Sequence, residues 1–227
     1  MTNRKPARTS SVVESLGIEI VGGNPPPGGA LAAEPALEAR FQVSRGVVRE
    51  AVRILAAKGL VSVRQRHGTH VRPRHEWSWL DRDLIGWIAA SGISRADLLA
   101  FAEARRIIEP EAAALAATRA TNVQRDAISA AYAAMVRDRH DPARAISADK
   151  AFHLAVLDAT HNPVLQSLHG AIDALLSAIF DFTVTVFEGN LDNHGAVAAA
   201  IQREDADAAR QAMRALLNYT GDYLEHR

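Results

Sequence analysis

Residues 43–71 read VSRGVVREAVRILAAKGLVSVRQRHGTHV, and this stretch decides how the front of the chain folds. Val48, Ala51, Val52 and Leu55 fall at i, i+3, i+4 and i+7, the buried stripe of an amphipathic helix over 45–58. Arg45, Arg49 and Arg53 recur every four residues and form a second stripe beside the first. Ser44 stands where such a helix needs an N-cap, and Gly59 where it must stop. Beyond Gly59, apolar and polar residues alternate on both sides of RQRHG, the pattern of a small β-hairpin with a basic tip. A helix that packs by one face therefore offers three guanidinium groups on another. Behind it, Arg64, Arg66 and His67 crowd beside Gly68 and Thr69. Such a set suits duplex DNA. A helix fits the major groove, arginine grips phosphate or guanine edges, and glycine lets the backbone come close.

Working outward, SSVVESLGIEIV (10–21) carries a helical apolar pattern with Ser10 or Ser11 as N-cap. GGNPPPGG (22–29) is a loop, and a short helix follows over 33–41 with Pro35 in its first turn. Three helices and a basic hairpin make a winged helix-turn-helix over 10–73. Residues 1–9 read as a disordered tail and 74–80 as a linker. All three tryptophans (Trp77, Trp79, Trp87) fall in RPRHEWSWLDRDLIGWI, 72–88. Everything after that reads as helix, roughly 81–91, 95–118, 122–139, 142–160, 163–187, 190–203 and 205–225, separated by breakers such as SGIS, ATN, DP, HNP and EGN. The expected fold class is mainly α, with an antiparallel all-α bundle over 81–227 behind the winged helix domain.

The charge pattern agrees. The 227 residues carry no net formal charge, but residues 1–75 hold twelve Lys/Arg against five Asp/Glu, and the remainder reverses that balance. Such asymmetry points to a nucleic-acid-binding part joined to a part with another task. Clustering on solvated faces is the plain alternative, and the ordered set of helices and hairpin weighs against it. Cysteine is absent, which excludes disulfides and thiolate metal sites and fits a cytoplasmic location. No apolar run reaches the ~18–20 residues that span a bilayer, and no apolar segment follows the basic start, so neither a membrane nor a secretory signal is expected.

The bundle hides polar residues on its inner faces. Arg105 lies inside the stripe of Leu98, Phe101, Ile108, Ala112 and Leu115. Asp149 and His153 share a face with Ile146, Val156 and Leu157, and His194 lines up with Val197 and Ile201. A charge on a buried face is costly unless it is paired or meets a ligand. One reading is a pocket in which Asp149, His153 and His194 chelate one ion and Arg105 clamps a small carboxylate. The other is internal pairing of Arg105 with Asp149 or Glu109, with the histidines as satisfied core residues. An open two-histidine, one-carboxylate set also suits a metal-dependent enzyme, which leaves the basic stripe without a purpose. A constitutive DNA binder whose bundle only dimerises leaves the inward Arg and His unexplained.

Residues 10–71, through VSRGVVREAVRILAAKGLV and RQRHGTHV, resemble the DNA-binding domain of the GntR superfamily of bacterial transcription regulators. The resemblance implies Arg45 and Arg49 as main DNA contacts and a wing around Arg66–Gly68 that enters the minor groove. The family's Leu-Pro-Ser-Glu-basic run is LAAEP (31–35) here, so Ala33 replaces the usual cap and Pro35 a phosphate-touching side chain, with Arg40 expected to cover that contact. Residues 81–225 resemble the FCD effector domain of the FadR-type subfamily, through EARRIIEPEAAALAA (103–117), DKAFHLAVLDATHNPVL (149–165), NHGAVAAAI (193–201) and DADAARQAM (205–213). Metal-binding members hold a divalent ion, here expected to be zinc, on one Asp and three His. Asp149, His153 and His194 match three of these, and the fourth position is Leu216. Arg105 matches the arginine that meets the effector carboxylate. WSWLDRDLIGWI and HNPVL are similar to the sugar-acid-responsive branch of the subfamily. The resemblance implies a homodimeric repressor that an aldonate such as galactonate releases from its operator, with a different carboxylate as the alternative effector.

Overall fold

The computed structural model describes residues 5–64 and 67–226, and the chain forms two compact units, one ending at Ile93 and the other beginning at Ser94. In the first unit, α1 (Lys5–Val21), α2 (Glu34–Phe41) and α3 (Arg45–Ala57) precede a hairpin of β1 (Val61–Arg64) and β2 (Gly68–Val71). The strands pair antiparallel, Val61 opposite Val71 and Arg64 opposite Gly68, and Ala30 adds an isolated bridge to His70. Val48, Ala51, Val52 and Leu55 of α3 are buried as the spacing predicts, and they meet Val12, Val13, Leu16 and Ile20 of α1 in one core. Gly59 ends α3 with φ +77°, where a Cβ would lie 2.6 Å from the Glu76 carbonyl, so only glycine fits there.

Several expectations need correction. α1 begins at Lys5, so Ser10 and Ser11 are interior to the helix and not at its N-cap position, and 5–9 are helix rather than tail. Ser44 has the extended backbone of an N-cap, but its hydroxyl makes no cap bond. The tryptophan-rich segment is not a free linker. After a 3-10 turn (Arg74–Glu76), Trp77 and Trp79 each donate an indole N–H back to a carbonyl, of Arg72 and Arg74, at 3.0 and 2.9 Å. Then α4 (Arg82–Ala90), expected to open the bundle, packs on α1 instead. Trp87 lies so close to Gly17 that a Cβ there would meet its ring at 2.5 Å. Asp81 caps α4 by accepting from the Asp83 and Leu84 amides, and Lys58 at the end of α3 reaches Asp81 and Asp83 at 2.8 Å each. Burial works against the Lys58 ammonium, but the two carboxylates outweigh it and raise its pKa.

The second unit is helical throughout its described residues. α5 (Arg95–Arg119), α6 (Asn122–Arg137), α7 (Pro142–Asp158), α8 (Pro163–Gln166), α9 (His169–Thr183), α10 (Leu191–Gln202) and α11 (Ala206–Glu225) follow in order. Their starts are written locally. Ser94, Asp141, Asn162 and Asp205 each accept a backbone N–H, and Thr121 with Gln124 forms a capping box. The single helix expected over 163–187 is broken into α8 and α9, and Val184–Val186 and Glu188–Asn190 tighten into 3-10 turns leading directly into α10. The β-branched run Val184-Thr185-Val186 followed by Gly189 explains why the α-helix fails there. Phe152, Ile128, Met135, Val197, Ile201, Met213 and Leu216 lie at the heart of the unit, where α5, α6, α7, α10 and α11 meet.

Candidate functional site

On the first unit the exposed face of α3 presents Arg45, Arg49 and Arg53, whose side chains are 69%, 68% and 75% exposed. None is held firmly. Arg45 Nε donates to Glu34 at 2.9 Å, Arg49 lies 3.8 Å from the same carboxylate, and Arg53 pairs with Glu50 at 2.7 Å. Ion pairs this exposed are weak in water, so exchange for phosphate costs little. Glu34, which the sequence reading left unassigned, opens α2 and gathers two of the three arginines. Across the hairpin, Arg64 stands opposite Gly68, whose φ of +82° suits glycine, and the His67 amide closes the turn by donating to the Arg64 carbonyl at 3.0 Å. Thr69 is half-buried, its carbonyl bound by the Leu31 amide. Arg66 lies outside the described residues. Arg40 is turned from its expected task, because its guanidinium grips Glu19 of α1 and rests 4.7 Å from the Phe41 ring centre.

In the second unit, Arg105 of α5, Asp149 and His153 of α7 and His194 of α10 come together, as their inner-face positions predict. Arg105, His153 and His194 are at most 4% exposed. They line a cavity of about 30 Å³ closed by Leu176, Ile179 and Phe180 of α9, by Thr183, Val186, Phe187 and Asn190 where the 3-10 turns run, and by Leu216 and Thr220 of α11. One donor atom each from Asp149, His153 and His194 lies within 4.8 Å of the others. Leu216 borders the same space but offers no donor.

The hydrogen bonds fix what each ring presents. His194 Nδ1 donates to the Asn190 carbonyl at 3.0 Å, so its Nε2 is the nitrogen turned toward Asp149. That nitrogen is buried and makes no aligned hydrogen bond, yet it stands 3.1 Å from Asp149 Oδ1. An imidazole nitrogen and a carboxylate oxygen at this range are held by a proton or a metal cation between them, and the donor set fits a metal ion. The neighbouring arrangement balances charge. Glu109, missed as a site residue, accepts from Arg105 Nε at 2.5 Å and from His153 Nδ1 at 2.6 Å, all three groups buried. Burial pushes the Glu109 carboxyl up, but Arg105 and His153 outweigh it and hold it far below the usual carboxylate range. Burial likewise opposes ionised Asp149, and His194, His153 and Arg105 together lower its pKa. Glu109 keeps Arg105 charged against the cost of its own burial. So the internal pairing and the pocket coexist: Arg105 is paired with Glu109 and also faces the cavity.

Residues 8–71 match the family described as bacterial regulatory proteins, gntR family, and residues 100–219 match the FCD domain. The chain is 38% identical to the galactonate operon transcriptional repressor of Escherichia coli strain K12, over 90% of this chain and 91% of that one. It is 34% identical to the putative L-lactate dehydrogenase operon regulatory protein of the same strain, over 83% of this chain and 75% of the relative. A solved structure described as "Lar controls the expression of the Listeria monocytogenes agr system and mediates virulence" shares the fold, with a TM-score of 0.69 at 19% identity over 96% of each chain. Among the described residues no helix is long and apolar enough to cross a membrane. These relatives are regulators that bind DNA, which leaves the metal-dependent enzyme reading of the three inner side chains without support. The chain belongs to the gntR family of bacterial regulatory proteins and is a transcription regulator with an FCD domain.

Proposed function

We propose that this regulator represses a sugar-acid catabolic operon and that an aldonate such as galactonate releases it. One observation carries the reading: Arg105, His153 and His194, all buried, and the half-buried Asp149 converge on a single cavity in the effector unit. The guanidinium of Arg105 binds the effector carboxylate, with the geometry and charge for a two-point grip. Asp149, His153 and His194 would hold a divalent ion, with zinc expected, which would supply Lewis-acid attraction for the oxygens next to that carboxylate. Leu216, where the family's fourth ligand falls, offers no donor. The 38% identity to a galactonate operon repressor supports this class of effector.

At the other end, Arg45, Arg49 and Arg53 enter the major groove, Arg64, Arg66 and His67 reach along the adjoining minor groove, and Ser44, Gly68 and Thr69 bring the backbone to phosphate. Arg40 contributes only after release from Glu19. Two copies act together, since two-fold protein symmetry matches palindromic half-sites. The effector works by population shift, and a swing from 1:99 to 99:1 requires it to prefer the released form by roughly 5.5 kcal/mol. Ligand pockets usually hold ~300–1,000 Å³. The ~30 Å³ seen here must therefore widen for an aldonate, and the 3-10 turns at 184–190 are the wall with the least regular bonding. The small volume favours, as a second reading, a smaller 2-hydroxy acid, in keeping with the relative named for an L-lactate dehydrogenase operon.

The test is Arg105→Ala. The variant is expected to bind the operator in a mobility-shift assay and to ignore aldonates and lactate that release the parent. Release of the variant at the parent's ligand concentration defeats the carboxylate clamp. A thermal-shift screen with both acid classes, with and without chelator, separates the two effector readings.

A further inference from the structure

We infer that Glu109 is the positioning residue of the effector site: one buried carboxylate that sets both the ligand nitrogen of His153 and the orientation of the Arg105 guanidinium. The inference rests on the proposed pocket, and it concerns a residue outside the cavity wall. Glu109 Oε1 takes the Nε–H of Arg105, and Oε2 takes Nδ1 of His153 at 2.6 Å and lies 3.3 Å from Arg105 Nη2. Both oxygens are thus committed, and the side chain is 3% exposed.

The tautomer of His153 follows from elementary donor counting. An ionised carboxylate only accepts, so the ring proton sits on Nδ1, 2.6 Å from Glu109 Oε2. Arg105 Nη2 lies 3.1 and 3.4 Å from the two ring nitrogens and so does not single out either lone pair. Nε2 is then the atom with a lone pair, on the side of Asp149 (3.7 Å) and the cavity. A carboxylate that takes the far N–H of an imidazole fixes the ring and raises the basicity of the near nitrogen. Here the same carboxylate also anchors one edge of Arg105, which leaves the other edge of the fork for an anion. Removing Glu109 releases both groups at once, although it touches neither cavity nor ligand. An asparagine or glutamine at 109 accepts from Arg105 but cannot also accept from His153 on its second atom, so the two tasks separate.

The test uses the full chain. Zinc affinity is read by competition with a chromophoric chelator for the parent, Glu109→Gln and His153→Ala, with folding checked by circular dichroism. The expected result is that the parent binds, His153→Ala does not, and Glu109→Gln binds 10–100-fold more weakly, as for other outer partners of ligating histidines. A folded Glu109→Gln with the parent's affinity overturns the assignment and leaves the metal reading standing. A parent that binds no zinc defeats the metal reading itself, and the assignment is then decided by the second measurement. That measurement needs no variant: long-range ¹H–¹⁵N correlation on histidine-labelled, chelator-treated parent. A proton on Nδ1 of His153 upholds the role of Glu109, and a proton on Nε2 overturns it even if Glu109→Gln fails to fold.

Discussion

Leu216→His is the most demanding perturbation, because it asks the cavity to gain a function. Leu216 is 2% exposed and borders the space shared by Asp149, His153 and His194. Exchanging a buried leucine for imidazole forfeits about 2 kcal/mol of apolar burial. An unpaired ring nitrogen adds about 1–2 kcal/mol more. The metal-free variant should therefore melt lower than the parent by roughly 6–16 °C, at about 2–4 °C per kcal/mol for a chain of this size. Zinc should narrow this gap. A fourth ligand should tighten binding by at least ~10-fold, about 1.4 kcal/mol. Zinc at 100 times Kd returns about 2.7 kcal/mol of stability. Scanning calorimetry with chelator and with zinc, together with chelator competition, reads both quantities. A folded variant whose zinc affinity stays within twofold of the parent refutes the reasoning, since the three side chains would then not surround the space that Leu216 fills.

Arg49→Ala is expected to weaken operator binding by ~1–3 kcal/mol with relaxed sequence preference if it reads a base, and unchanged affinity and specificity in a mobility-shift assay removes it from the interface. Asp81→Ala deletes both the α4 cap and a partner of Lys58, so urea unfolding should lose about 1–3 kcal/mol, whereas Asp81→Asn keeps the cap and should lose less; equal losses would show that the cap contributes nothing. Glu109 and Asp149 have folded-state pKa values below their unfolded ones, so their contribution is fully present above the unfolded carboxylate range, near pH 4, and is lost as pH falls toward the folded values. Chelator-treated protein should thus lose melting temperature as pH falls from about 5 toward 3, less steeply for Glu109→Gln, and identical profiles would contradict this.

The recognition helix was legible because its two stripes obey one periodicity and the breakers on either side are unambiguous. Arg105, Asp149, His153 and His194 were legible for the converse reason, as polar residues breaking an apolar face. Other features depend on what periodicity does not carry. The apolar face of α4 is plain in LIGWI, but a stripe does not name its partner, and α4 packs on α1. The run from His169 to Phe187 is apolar enough to hide where the α-helix gives way to 3-10 turns. Glu109, one turn after Arg105, is legible in sequence as a candidate internal partner of that arginine; only the fold brings His153 onto its second oxygen and makes it the hub of the site. Ser44 and Ser10 have the right residue type for caps, and type alone does not place a hydroxyl on an amide.

The packing of Trp87 on Gly17 bears on where this chain can be cut. A fragment ending at 73, the limit suggested by the hairpin, would discard Trp77, Leu84, Ile85, Trp87 and Ile88, all nearly inaccessible to solvent in the intact chain. What remained would expose the side of α1 that those residues cover and would be prone to self-association. A truncation meant to isolate the operator-reading half should run through Ile93, retaining α4 as its lid.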